Sequence, residues 1–111
     1  MAVTTALSRN VRRIGLVIRK YAADAGVDRD HLAIAGILDR KTERIYLSVG
    51  TDHPIDHSDW YVGIQQALGQ EFGRIPSVAQ LGIVVRQVDD LDTIYERMTV
   101  DDDSLDLTDM L

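Results

Sequence analysis

Three features of this 111-residue chain predict an α+β domain in which helices pack on a three-stranded sheet. An amphipathic stretch opens the chain, two apolar runs joined by a polar turn follow it, and a later apolar run comes after a second helical stretch. The resulting order is helix, strand, strand, helix, strand, helix, with no internal repeat. With 45% hydrophobic content, residues 1–100 suffice for a single core and leave no material for a second domain. Residues 101–111 form an acidic tail.

The first helix rests on spacing. Leu7, Val11, Ile14, Ile18, Tyr21 and Ala25 recur at intervals of three and four residues, a single apolar stripe. Thr4, Thr5 or Ser8 offers a cap at its start, and Gly26 stands where a helix can end in a left-handed residue. At about 100° per residue, Arg9, Arg12, Arg13, Arg19 and Lys20 fall on the side away from the stripe, with Leu16 in their midst. Such a side serves either as a solvated basic surface or as a docking surface. In the second use, guanidinium forks grip phosphate or carboxylate while Leu16 adds an apolar contact.

The strands follow from alternation. Leu32, Ile34 and Leu38 alternate with Ala33, Ala35 and Ile37, and the polar run Asp39 to Glu43 makes a turn. In RIYLSVG, Ile45, Leu47 and Val49 share one face while Arg44, Tyr46 and Ser48 share the other, so an antiparallel hairpin is expected. Gly36 marks a bulge or a close approach. Leu81 to Val88 is apolar except for Arg86 and Gln87 and reads as a third strand in a central or well-covered position.

Between the second and third strands, Trp60, Tyr61, Ile64, Ala67, Leu68 and Phe72 repeat at helical spacing, a face that packs on the sheet. Gly63, Gly69 and Gly73 weaken this helix and predict a kink or early end near Ala67 to Gly69. Pro76 and Ser77 then punctuate a loop. After the third strand, Asp89, Asp90 and Asp92 introduce a short helix bearing Leu91, Ile94, Tyr95 and Met98.

Composition narrows the functional classes. The absence of Cys excludes disulfides, thiolate metal sites and a cysteine nucleophile. The longest apolar run is too short to cross a bilayer, and no basic segment followed by an apolar one signals export, so a cytoplasmic protein without membrane contact is expected. A pI near 4.8 argues against coating nucleic acid with the whole surface. Charge is nevertheless segregated: residues 1–44 balance at +4 and residues 45–111 at −10.

One stretch, TDHPIDHSDW, gathers His53 and His57 with Asp52, Asp56 and Asp59, the side chains of metal ligands and acid–base pairs. Pro54 argues against a continuous helix presenting both histidines, and Asp56 or Ser58 suits a helix cap instead. No glycine-rich phosphate loop or nucleophile elbow is present. Neither catalysis nor a cofactor or metal is predicted.

Several local strings resemble ribosome-binding factor A and the wider type II KH-like group. A basic first helix leads to a hairpin whose second strand reads Tyr46, Leu47, Ser48, Val49, close to that family's Y-V-S-V pattern. Ala67, Leu68, Gly69 match its Ala-x-Gly kink in type and in position. The resemblance spans roughly residues 7–98 and implies a KH-like fold and a noncatalytic module associated with RNA or the ribosome, contacting it through the first-helix bases and Ala67 to Gly69. Two features depart from it, a short stretch after Gly69 and an acidic C-terminal portion. The alternative is an acidic protein-interaction or regulatory adaptor, able to form a homodimer, whose basic helix docks an acidic partner or its own tail. In the tail, five acids interleave with Leu105, Leu107, Met110 and Leu111. That composition fits a disordered, solvated terminus, and equally a segment that folds onto a basic apolar groove.

Overall fold

The computed structural model describes residues 2–73, 81–96 and 101–111, with side chains from Arg9 onward in the first helix. Pro76, Ser77 and Met98 lie outside the described residues, as does the side chain of Leu7. Helix α1 spans Ala2–Asp24 and is followed by a 3-10 turn, Arg29–His31. Strands β1 (Leu32–Asp39) and β2 (Arg44–Thr51) come next, then helix α2 (His57–Phe72), strand β3 (Leu81–Gln87) and the short helix α3 (Asp92–Glu96). Strand β4 (Ser104–Asp106) and a 3-10 turn, Thr108–Met110, complete the described chain.

The α+β class is as the sequence predicts, but the sheet is mixed and has four strands rather than three, in the order β3-β2-β1-β4. The hairpin β1–β2 is antiparallel, and α2 carries the chain across so that β3 runs parallel to β2. The added strand comes from the tail: β4 pairs antiparallel with β1, Leu105 opposite Leu38. Three residues flanked by acids carry no strand signal of their own, so β4 exists through its partner. Beyond it the Leu107 N–H donates to the Gly36 carbonyl at 2.8 Å, and the Leu107 side chain is fully buried.

Both long helices cover one face of the sheet. Val11, Ile14, Ile18 and Ala22 of α1 and Trp60, Ile64, Leu68 and Phe72 of α2 pack on Ile34, Ile45, Leu47, Val49 and Ile83. Tyr21 meets Trp60 edge to face, with ring centroids 5.4 Å apart, and fixes the two helices against each other. The other face carries a smaller cluster, in which Ile94 of α3 covers Ala33 and Ala35 and closes directly over Gly50, where a Cβ would strike it. Among the described residues, no helix is long and apolar enough to cross a membrane.

Local details follow the expected chemistry, with corrections to β3, an edge strand in which only Ile83 is buried rather than a central or well-covered one, to Ala25 and Tyr61, which are exposed rather than on the buried helix faces, and to the start of α1 and the end of α2. Asp56 caps α2, accepting from the Asp59 N–H at 3.0 Å, and Gly26 has φ +88 beyond the end of α1. The first helix begins at Ala2, so Thr4, Thr5 and Ser8 lie within it rather than at its cap. Helix α2 runs through Ala67 to Gly69 and ends only at Gly73, which has φ +63. Burial of Leu68 and Phe72 outweighs the glycine penalty there.

Two stability predictions follow. A Cβ at Gly69 meets no atom within 4 Å, so Gly69→Ala should raise unfolding free energy by roughly 0.5–1 kcal/mol in urea denaturation, whereas a required kink would make it lower stability. Leu107→Ala should cost about 2–5 kcal/mol by the same measurement, the loss expected of a core leucine; a cost below about 0.5 kcal/mol would show that the tail segment is not part of the core.

Candidate functional site

Because the apolar stripe of α1 is fixed on the sheet, the azimuth of every other side chain on that helix is fixed too. Leu16 points outward and is 66% exposed, flanked by exposed Arg9, Arg12 and Lys20. Two arginines are held by neighbours on either flank. Arg13 Nη2 donates to Glu71 Oε1 of α2 at 2.9 Å, and its guanidinium lies 4.6 Å from the centre of the Phe72 ring. On the opposite flank Arg19 Nη2 donates to the Leu111 carbonyl at 2.7 Å. Gly15 permits that approach, since a Cβ there would lie 3.0 Å from the Leu111 backbone. Arg9, Arg12 and Lys20 have no ion pair among the described residues.

Between α1 and α2 run two adjoining depressions of about 260 and 200 Å³, with Arg13, Leu16, Val17, Lys20, Ala67 and Glu71 in their walls. The structure therefore brings Arg13, Leu16 and Lys20 together with Ala67. Arg9 and Arg12 extend the exposed ridge beyond the groove, Arg19 turns to the other flank, and Gly69 lines neither depression. The tail docks beside α1 rather than over its basic ridge. Its one ion pair among the described residues joins Asp103 to Lys41 at 3.1 Å.

A second constellation lies at the end of the hairpin. His31 Nδ1 sits 3.0 and 3.1 Å from the two carboxylate oxygens of Asp52, and His53 Nδ1 lies 3.7 Å from Asp52 Oδ1. The imidazoles of His31 and His53 stack with centroids 4.6 Å apart and planes inclined by 27°. These three residues are the group able to hold a metal ion among the described residues, with ligand atoms within 4.8 Å of one another. Of the histidine pair singled out in the sequence, His53 belongs to the group and His57 does not. His57 opens α2 and lines an open groove of about 730 Å³ beside the end of β3.

His31 was invisible to a search for nearby motifs, but the hairpin register contains it. Paired residue numbers in β1 and β2 total 83 from Asp39↔Arg44 to Leu32↔Thr51, and the next pair in that series is His31 with Asp52. Asp28 caps the preceding 3-10 turn through the Asp30 N–H at 3.1 Å and so sets where His31 emerges.

The Asp52 carboxylate, through its hydrogen bond and then its charge, raises the His31 pKa above its ordinary 6.5. The same hydrogen bond lowers the Asp52 pKa below 3.8. The contribution of His31 to stability is complete below pH 6.5 and fades as pH rises through its raised folded value. That of Asp52 is complete above pH 3.8 and fades as pH falls through its lowered value. The pair thus contributes most between those two limits. NMR titration should find His31 above 6.5 and Asp52→Asn should return it toward 6.5; equal His31 values in both proteins would contradict the contact.

No protein-family model, curated protein or solved structure matches this chain, so its functional reading rests on its own geometry.

Proposed function

We propose that the protein is a noncatalytic binding module whose α1 ridge, formed by Arg9, Arg12, Leu16 and Lys20, docks an acidic amphipathic helix of a partner protein. The observation that carries this reading is Leu16, 66% exposed at the centre of the bases. An apolar side chain contributes little to contacts with a phosphate backbone, which are made by cations and hydrogen-bond donors. Against the apolar side of a helix, burying a leucine contributes roughly 1.5–3 kcal/mol. The adjoining groove supplies further apolar wall from Val17 and Ala67, and the unpaired bases along the ridge match carboxylates one helical turn apart. Net charge of −6 concentrates recognition on this ridge, since the rest of the protein repels an acidic partner.

The resemblance to ribosome-binding factor A directs the same ridge toward RNA, and one experiment separates the two partners. Fluorescence anisotropy is measured with a labelled acidic amphipathic peptide, its sequence-scrambled control and a single-stranded RNA. For the peptide, Leu16→Ala should weaken binding by at least about tenfold, Arg12→Glu should weaken it as well, and the scrambled control should bind poorly. Tight RNA binding that ignores Leu16→Ala and falls with salt at a slope of about −2, the value for three released counterions on a single strand, would replace the protein partner with RNA. Binding of none of the probes would overturn the reading.

A further inference from the structure

We propose that His31, Asp52 and His53 form a binding site for one borderline divalent transition-metal ion of the zinc class, independent of the α1 ridge. Two imidazole nitrogens and one carboxylate oxygen are the donors that such ions prefer, whereas magnesium and calcium favour oxygen alone. Three protein ligands with water completing the shell is also a common zinc arrangement.

The spacing suits it. With metal–ligand bonds of about 2.0–2.1 Å, tetrahedral geometry separates neighbouring donor atoms by roughly 3.3–3.4 Å. The two contacts to Asp52 Oδ1, 3.0 Å from His31 and 3.7 Å from His53, bracket that separation. All three residues already offer ligand atoms within 4.8 Å of one another, and the stacked His31 and His53 rings must turn about their side-chain torsions to aim both nitrogens at one ion. The partly exposed rings leave water access to the remaining coordination positions.

The positions adjoin the sheet: His31 and Asp52 stand one step beyond the last β1–β2 pair, Leu32↔Thr51, and the His53 N–H donates at 3.1 Å to Oγ1 of Thr51, a fully buried residue. Asp28 and Asp30, in and before the turn that ends at His31, add negative potential that attracts a cation. Binding needs His31 Nδ1 free of hydrogen: from an imidazolium that proton leaves to solvent, and from a neutral ring protonated at Nδ1 it moves to Nε2.

Titration calorimetry of the full chain with zinc chloride at pH 7.5 tests this. One ion should bind per chain, magnesium should not compete, and His31→Ala and His53→Ala should each reduce affinity at least about 10–100-fold, the loss that even outer-shell partners of a metal cause. Asp52→Asn should weaken binding while His57→Ala leaves it unchanged. In the unsubstituted protein, imidazole NMR signals of His31 and His53 should shift together on zinc addition and those of His57 should stay, a readout unaffected by any variant that fails to fold. Absence of binding overturns the site. So does binding that is insensitive to His31→Ala and His53→Ala, or equally sensitive to His57→Ala, because the ion would then sit on scattered surface groups.

Discussion

The structure depends on the burial of one stripe of α1. Val11, Ile14, Ile18 and Ala22 lie almost wholly out of water against the sheet, and each isoleucine contributes roughly 1.5–3 kcal/mol by doing so. Once that stripe is fixed, no freedom remains in how the helix is rotated. Gly15 must meet Leu111, Arg13 must meet α2, and Leu16 has only solvent before it. The basic ridge is therefore a by-product of core packing: its residues are placed by what lies on the opposite side of the helix.

Charge segregation along the chain acquires a local explanation on the acidic side. Asp28, Asp39, Asp56, Asp90, Asp101 and Asp106 each accept a hydrogen bond from a backbone N–H two or three residues further on. Aspartate is well suited to this because its short carboxylate reaches back to the chain and can stand in for a missing backbone acceptor. Six of the eighteen acids thus serve turns and helix starts, four of them in residues 45–111 and two of those in the tail. The bases of α1 have no comparable local employment. Among the described residues only Arg13 and Arg19 are tied down, by a side chain and a carbonyl respectively.

What could be read from the sequence divides along the same line between local and distant effects. The α1 stripe, the alternation in β1 and β2 and the Asp56 cap are periodic or short-range, and each is visible in the residues themselves. Strand β4 is not, because Ser104–Asp106 becomes a strand only where β1 offers an edge. Continuity of α2 past Ala67 to Gly69 was hidden for a related reason, since glycine propensity speaks locally whereas Leu68 and Phe72 are held by tertiary burial. His31 lies between these cases. It is 21 positions from Asp52, yet extending the hairpin register by one step brings the two together.

The contact between Arg19 and the Leu111 carbonyl spans 92 positions, and that distance bears on the order of folding. Closing so long a loop costs more entropy than closing the β1–β2 hairpin, which favours formation of the hairpin ahead of it. Until Ser104–Asp106 docks, Ile37–Asp39 of β1 present an unpaired edge, the kind of template on which a neighbouring chain can add a strand. The segment that completes the core thus also covers that end of the β1 edge against another chain.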